Sequence, residues 1–348
     1  MKLWQFVVRR LLLLIPVLLG VTLITFTLIN ASGDPCAVYI RSEKMTFEQQ
    51  QEVRLRYGCD EPVHVRYGIY MGNLLRGDLG VTAEFRPVGE EMAVFFPATL
   101  ELTLFAMVFA VAAAIPIGML SATRKDTLAD HAGRTFALSG VSIPVFWFAL
   151  LLQMLMFTMG RAGLPSLPLS GRYDVTLIGA HPFLADPSLQ PTGLLLVDSL
   201  LLGEGTVLLD LLAHILLPAI ALAYLSMAII TRMMRSSMLE VLRQDYVLTA
   251  RSKGLPERSV IRGHARRNAM IPTVTVIGLS FGALLAGAVL TESVFSWPGV
   301  GRWSTLAILS RDTAIIMGFA TVISLVYVFA NLIVDVMYAY LDPRIRLE

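Results

Sequence analysis

Six long apolar stretches alternate with polar segments along the chain, at approximately residues 9–30, 99–123, 134–159, 211–234, 272–295 and 313–340. A helix needs roughly 20 apolar residues to cross a bilayer core about 30 Å thick, and each stretch is long enough. The pattern therefore predicts an all-α membrane protein with about six transmembrane helices.

Three prolines, Pro116, Pro144 and Pro218, fall inside the predicted spans. In a soluble helix each would indicate a boundary, because proline lacks the N–H that the helix needs. Within a membrane, neighbouring helices and Ser or Thr side chains can satisfy the freed carbonyls. We therefore expect kinked but continuous spans at these prolines.

The composition agrees with a membrane protein and excludes several other classes. Hydrophobic residues make up 55% of the chain and charged residues 16%, and the mean hydropathy is +0.68, whereas soluble domains contain about 25% charged residues. Nucleic-acid binding is not indicated, because it would need a basic face clustered outside the apolar spans. The two cysteines exclude a disulfide scaffold, and no Cys/His spacing is typical of a zinc site. We expect no metal and no cofactor in this chain.

Basic residues in the connections predict the orientation. Lys2, Arg9 and Arg10 precede an apolar run over 11–29, which is longer than the roughly 7–15 residues of a cleaved signal, so a retained helix is favoured. Nine of the 28 Lys and Arg residues lie in 232–267, between the fourth and fifth spans. Because cytoplasmic connections are enriched in Lys and Arg, both termini are predicted to be cytoplasmic.

Two long segments then lie on the other side of the membrane, over 31–98 and 161–210. The first has mixed charge and glycine-containing turns at 33–35 and 77–80, and we expect it to fold as a small helical cap. The chain is therefore divided into an N-terminal helix with this cap, residues 1–98, and a five-helix core, residues 99–348, with a cytoplasmic loop at 235–268.

Cys36 and Cys59 both lie in the predicted outer segment. Outside the bacterial cytoplasm disulfides persist, so a Cys36–Cys59 bond is our hypothesis, worth about 3 kcal/mol by loop entropy. Two unrelated buried thiols are the alternative.

The loop between the fourth and fifth spans contains clear helix signals. No glycine or proline interrupts a helix over 235–253, and Gly254 followed by Pro256 is typical of a helix stop. A second short helix is predicted to begin at Pro256 or Glu257 and to end before Pro272. Tyr246, Val247 and Ala250 form a patch at helical spacing, in which the small Ala250 would let another surface approach closely.

The loop sequence DYVLTARSKGL at 245–255 resembles the EAA loop of the membrane subunits of ABC importers, in the version found in the dipeptide, oligopeptide and nickel permease family. Asp245-Tyr246 replaces the usual Glu-Ala, as is common in the peptide branch. The resemblance covers essentially the whole chain, through further motifs at 9–10, 33–35, 77–80, 96–101, 142–147, 264–269, 291–303 and 342–346.

This resemblance implies a type I ABC importer permease fold and a multi-pass location in the bacterial inner membrane. The chain has no Gly-Lys dipeptide and hence no phosphate-binding P-loop, so ATP and Mg²⁺ are expected on partner subunits and the chain itself is not an enzyme. The implied partners are a second, related permease, two ATP-binding subunits, an extracytoplasmic solute-binding protein and membrane lipid.

The resemblance also assigns the residues that couple to the ATPase, which are Asp245, Tyr246, Val247, Ala250, Arg251, Lys253 and Gly254. In this interpretation 247–254 docks in a groove of the ATPase, Tyr246 and Ala250 make packing contacts, and Arg251 or Lys253 lies at the polar rim. Gly254 holds the turn between the two helices. The alternative is a loop that is basic only because cytoplasmic loops are, but this leaves the glycine stop unexplained.

Ionisable residues within spans are functional candidates by default. Glu101, His214 and Glu292 fall near span ends, where pairing with polar neighbours is expected, and the deeper Asp335 could pair with an arginine of the cytoplasmic loop. The pore-lining candidates are the uncharged polar residues Ser139, Ser142, Gln153 and Ser226. Each could equally bridge two helices.

The resulting prediction is a permease that forms half of the translocation pore for di- or oligopeptides. Nickel, glutathione or another small solute is the alternative within the class. A gradient-driven secondary transporter would be expected to show internal repeats and mid-membrane charges, and an intramembrane enzyme a motif such as H-E-x-x-H. Neither signal is clear in this sequence.

Overall fold

The structure is a computed structural model that describes residues 3–31, 46–48, 51, 54–55 and 58–341, with the side chains of 3–7, 10, 286–287 and 334–341 excepted. Within these ranges the chain is helical apart from turns, short loops and one isolated β-bridge between Val81 and Pro87. The predicted all-α fold is confirmed.

The principal helices, in chain order, are α1 Leu3–Ala31, α2 Val63–Leu75, α3 Val88–Thr123, α4 Leu128–Ser142, α5 Val145–Arg161, α6 Leu195–Leu201, α7 Gly205–Val241, α8 Asp245–Ser252, α9 Arg266–Val294, α10 Val300–Ser310 and α11 Thr313–Leu341. A single turn, Glu257–Ser259, and a π-helix, Val260–Ala265, lead directly into α9. Short 3-10 turns lie within the connection between α5 and α6.

Five helical segments of the described chain are long and apolar enough to cross a membrane, at Leu11–Ala31, Val88–Thr123, Gly205–Val241, Glu257–Leu285 and Thr313–Ile333. A sixth candidate consists of α4 and α5 together, which are bent by 111° at the break between them. The count of about six spans is therefore confirmed.

The predicted third span, 134–159, is not one kinked helix. The chain turns at Ile143, whose φ of −91° and ψ of 123° are extended, because the residue before a proline is disfavoured in the α conformation. Pro116 and Pro218, by contrast, lie inside the uninterrupted helices α3 and α7, as predicted. The α3 helix also begins at Val88 and so crosses position 98/99, where the sequence analysis divided the chain.

The centre of the bundle is formed where α3, α7 and α9 pack together. A stripe of buried alanines on α3, at 106, 110 and 114, faces buried residues of α7 such as Ile215 and Ile230. At Gly118 a β-carbon would lie 2.8 Å from the Thr231 carbonyl oxygen of α7. Small residues thus let the two long helices approach closely, as is typical of membrane proteins.

The α2 helix, part of the predicted helical cap, connects two peripheral helices. The Tyr67 hydroxyl lies 3.1 Å from Thr22 Oγ1 of α1, and the Tyr70 hydroxyl lies 3.0 Å from Thr321 Oγ1 of α11. The predicted helical character of this segment is confirmed for α2.

The ionisable residues near the span ends have the polar partners that were predicted. Arg172 Nη2 and Nε donate to Glu101 Oε2 over 2.6 and 3.0 Å, and His214 Nδ1 lies 2.9 Å from the Asp210 carbonyl oxygen. Glu292 accepts hydrogen bonds from Thr99 Oγ1 and from the Arg302 N–H. The Asp335 side chain is outside the described side chains, so its pairing stays a prediction.

The bundle has two ends. We call the end that carries residues 124–127 and 242–256 the basic end, and the end that carries 76–87, 162–204 and 295–312 the opposite end. Helices α1, α5 and α9 run from the basic end to the opposite end, whereas α3, α7 and α11 run back. The candidate residues for coupling to an ATPase lie at the basic end.

Candidate functional site

The α8 helix follows α7 after a sharp turn. The α7 helix ends at Val241, and Gln244 is extended, with a ψ of 146°. The helix predicted over 235–253 is therefore interrupted at 242–244, which is a correction. No glycine or proline indicates this break. It allows Val247 and Ala250 of α8 to be buried against Val241 and Leu242, a tertiary contact that outweighs the helix propensity of the segment.

Gly254 ends α8, as predicted. Its φ of +76° is left-handed, its N–H donates to the Arg251 carbonyl, and the Leu255 N–H donates to the Ala250 carbonyl. This arrangement is typical of a C-terminal glycine cap. Nothing lies within 4 Å of a β-carbon placed at Gly254, so the backbone angle, and not a lack of space, favours glycine here.

The helix after this turn does not stop before Pro272, contrary to prediction. It continues through Pro272 to Val294, which is possible because proline within a membrane helix is tolerated when neighbours satisfy the freed carbonyl. The π-helix at Val260–Ala265 lies between the Gly254 turn and α9. Such π segments are rare in proteins, and many of those that occur lie at functional sites.

The outward face of α8 differs from the predicted one. Val247 is 0% exposed and Ala250 is 7% exposed, and both pack on Val260 of the same chain. Both side chains are therefore packed within this chain, and the docking of 247–254 on an ATPase stays a prediction. The exposed apolar side chains are those of Tyr246, Leu248 and Leu255.

Polar contacts fix α8 to the helix that follows it. Arg251 Nη2 and Nε donate to the two carboxylate oxygens of Glu257 over 2.7 and 3.2 Å, and this hydrogen bonding raises the pKa of Arg251. Asn268 Nδ2 donates to the Tyr246 hydroxyl over 2.6 Å. Asp245 and Lys253 are exposed. Arg251 thus connects the two sides of the Gly254 turn, which leaves Lys253 as the more available rim charge.

A buried ion pair lies close to this surface. Asp130 of α4 is 0% exposed, and Arg235 of α7 donates to it from Nε over 2.7 Å and from Nη2 over 2.8 Å. Ser121 of α3 donates to the same carboxylate over 2.5 Å. Sequence analysis missed this cluster because its members come from three different helices. The only available signal was a charged residue at the edge of each of two apolar stretches.

The predicted pore-lining residues have different environments. Ser139 lies 2.7 Å from the Tyr224 hydroxyl, and Gln153 Nε2 donates to the carbonyls of Leu169 and Val294, so both bridge elements, as the alternative interpretation held. Ser226 is buried at 4% exposure inside the chain, and its place at a pore stays a prediction. Ser142 is exposed and remains a pore-lining candidate.

Two further predictions concern a disulfide bond and a metal site. Cys36 lies outside the described residues, so its bond to Cys59 stays a prediction. Among the described side chains, no group of three His, Cys, Asp or Glu residues could hold a metal ion.

Comparison with known proteins supplies the family context. Residues 114–347 match the family described as binding-protein-dependent transport system inner membrane component, and residues 3–89 match the N-terminal region of such membrane components. The two matches together cover most of the chain.

Several curated proteins are similar over nearly their full lengths. The dipeptide transport system permease protein of Escherichia coli (strain K12) is 42% identical over 344 residues, 98% of each chain. The di/tripeptide transport system permease protein of Pseudomonas aeruginosa (strain UCBPP-PA14) is 43% identical, again over 98% of each chain. The oligopeptide transport system permease protein of Bacillus subtilis (strain 168) is 34% identical over 98% of this chain and 99% of its own.

Proposed function

This chain belongs to the family of inner membrane components of binding-protein-dependent transport systems, and from that membership we propose that it forms half of the translocation pore of an ATP-driven dipeptide importer. It is a multi-pass membrane permease and not itself an enzyme. Identity of about 42% over 98% of the length of a dipeptide permease is the observation that carries the substrate class. A nickel or glutathione importer is disfavoured because the relatives described above transport peptides.

The energy for transport comes from other chains in this proposal. Two ATP-binding subunits would supply hydrolysis, a second and related permease the other half of the pore, and an extracytoplasmic binding protein the peptide. The basic end would face the cytoplasm with both termini, since cytoplasmic connections are enriched in Lys and Arg.

The surface that meets the ATPase would be the outward face of α8 and the turn after it. We define the coupling surface as Tyr246, Leu248, Lys253 and Leu255, all of which are exposed. Exposed apolar side chains rimmed by charge are typical of a protein interaction site. Asp245 would add an acidic group at the rim.

Two features would transmit force from this surface into the membrane. Val247 and Ala250 clamp α8 against the end of α7 and against Val260. The Gly254 turn and the Arg251–Glu257 ion pair fix α8 to the segment that leads into α9. Movement of the coupling surface would therefore move α7 and α9 together, as packed elements shift as units.

Reconstitution tests this proposal directly. The complete complex, in proteoliposomes, should import labelled alanyl-alanine only when ATP is supplied on the side of the ATPase subunits. Leu248→Glu should abolish import, because it introduces a charge into the apolar contact. Thr249→Ser, a change at the exposed neighbouring position, is the matched control and should import normally.

The rival functions give different results in the same assay. Import driven by a proton or sodium gradient without ATP would contradict the proposal, as would import of Ni²⁺ in preference to dipeptide. Normal coupling in Leu248→Glu would refute the assignment of the coupling surface while leaving the importer function intact.

A further inference from the structure

Three helices are joined at one buried carboxylate near the coupling surface. The two oxygens of Asp130, on α4, each accept from a different nitrogen of Arg235, on α7. Ser121, on α3, donates to Oδ1, and the Asp126 backbone N–H donates to Oδ2 over 3.0 Å. A second cation, Arg134, lies 3.6 Å from Oδ2 and is 42% exposed. Asp130 of α4 is thus hydrogen-bonded to α3, to α7 and to the connection between α3 and α4.

We propose that the Asp130–Arg235 pair is a positioning joint, which makes the bent α4–α5 unit follow α7 when the coupling surface moves. This inference rests on the proposed function, because it assigns a path for force that enters through α8.

The α7 helix is packed on α8 at their junction and should move with it. The cluster of Val247, Ala250 and Val260 packs on Val241 and Leu242 at the end of α7, so the two helices have a shared core at their junction. Arg235 lies six residues before the end of α7 at Val241, which is about 9 Å along the helix axis. A displacement of α8 should therefore move the segment of α7 that carries Arg235.

The α4 helix is attached to α7 at both of its ends. Near its start, Asp130 bonds Arg235. Near its end, Gly140 packs so tightly that a β-carbon there would lie 2.5 Å from Ala228 Cβ, and Ser139 lies 2.7 Å from the Tyr224 hydroxyl. Two attachments fix the direction of α4 relative to α7, whereas one alone would leave a pivot.

An ion pair holds the α4–α7 contact for a geometric reason. A buried ion pair seldom stabilises a protein more than an apolar pair of the same size, because desolvation offsets the attraction. A two-pronged guanidinium–carboxylate contact does, however, fix the relative angle of the two groups as well as their distance. This contact therefore suits a joint that must keep an orientation under load.

The α5 helix would be the element that this joint moves. It follows α4 after the extended residues Ile143 and Pro144, and most of its apolar side chains, including Phe146, Trp147 and Met154, are exposed in the single chain. When α4 turns with α7, α5 must change its angle in the membrane.

The test measures ATP hydrolysed per labelled alanyl-alanine imported by the reconstituted complex. Arg235→Lys keeps the positive charge but loses the two-nitrogen contact of the guanidinium with the carboxylate. We therefore expect the ratio of ATP hydrolysed to dipeptide imported to rise about tenfold. The double variant Asp130→Leu/Arg235→Met replaces the pair by apolar side chains and should keep thermal stability, yet show the same rise. Arg124→Gln, which removes an exposed cation at the same end of the bundle, is the control and should keep the wild-type ratio.

The outcomes separate the joint from a purely structural role. A double variant that imports with the wild-type ratio would overturn the inference, since stability alone would then account for the pair. Failure of both pair variants to assemble would overturn it too, by assigning the pair to folding. If the wild-type complex needs no ATP, the proposed function itself fails, and that result is distinct from both.

Discussion

The left-handed backbone of Gly254 predicts that two substitutions will differ, although both have room for their side chains. Both Gly254→Val and Gly254→Asn add a side chain where nothing lies within 4 Å. A β-branched residue is strongly disfavoured at the observed φ of +76°, whereas asparagine is tolerated at helix C-termini. Dipeptide import by the reconstituted complex should therefore fall severely in Gly254→Val and be largely kept in Gly254→Asn.

Equal import by these two variants would show that the turn does not need the left-handed angle. Membrane insertion of each variant, measured by the amount of complex recovered in detergent, serves as the control. Both variants should be recovered in wild-type amounts.

At Gly140 a larger side chain is disfavoured by lack of space and not by the backbone angle. Alanine at this position would place its β-carbon 2.5 Å from Ala228 Cβ, and such overpacking costs about 1–3 kcal/mol. The midpoint of thermal unfolding in detergent should fall for Gly140→Ala. Gly20→Ala in α1, where nothing lies within 4 Å, is the matched control and should keep or slightly raise the midpoint, because alanine favours a helix.

Among the elements, the connection between α5 and α7 is attached to α3 by an ion pair between Arg172 and Glu101. Arg172 and Glu101 are 8% and 5% exposed, and the Leu196 N–H also donates to Glu101. Arg172→Ala would leave a buried carboxylate without its cation, at a cost of about 3–5 kcal/mol. Limited proteolysis should then cleave within 162–204 faster than in the wild type.

The control for this variant is Arg161→Ala, at the same end of the bundle. Arg161 is exposed, and surface substitutions usually change stability by less than about 0.5 kcal/mol. Equal proteolysis of the two variants would contradict the structural role of Arg172.

The sequence was sufficient to predict the number of spans and the Gly254 turn, because each has a local signal. Apolar length indicates a membrane helix wherever it occurs, and a glycine followed by a proline indicates a helix end. Both signals can be recognised in the sequence without knowledge of the fold. The predicted pairing of Glu101, His214 and Glu292 was correct for a similar reason, since a charged group near a membrane requires a partner.

The remaining features depend on contacts between distant parts of the chain. Pro144 breaks a span while Pro116 and Pro218 do not, and the sequence around each proline does not distinguish them. The break at 242–244 exists because Val247 packs on Val260, and the Asp130–Arg235 pair joins residues more than 100 positions apart. Such contacts appear only once the helices are arranged in space.

At the scale of the whole molecule, the orientation of the bundle can be tested by labelling. In a variant with Cys36 and Cys59 replaced by serine, a cysteine introduced at Ser188 should react with a membrane-impermeant maleimide added to intact cells. One introduced at Lys253 should react only after the membrane is opened. Both positions are exposed, so access to the side chain is not limiting, and the reversed pattern would show that the basic end faces outward.

The 111° bend between α4 and α5 has a consequence for the subunit on its own. The two arms, with 15 and 17 residues, are each about 22–26 Å long, and at Pro144 the backbone has no N–H to offer. Hydrocarbon cannot hydrogen-bond the carbonyls left open at such a corner, and Ser142 and Pro144 are exposed there in the single chain. A solitary copy in lipid would draw water to this corner, so an orphan subunit should be short-lived in the cell and should survive only once a companion covers the corner.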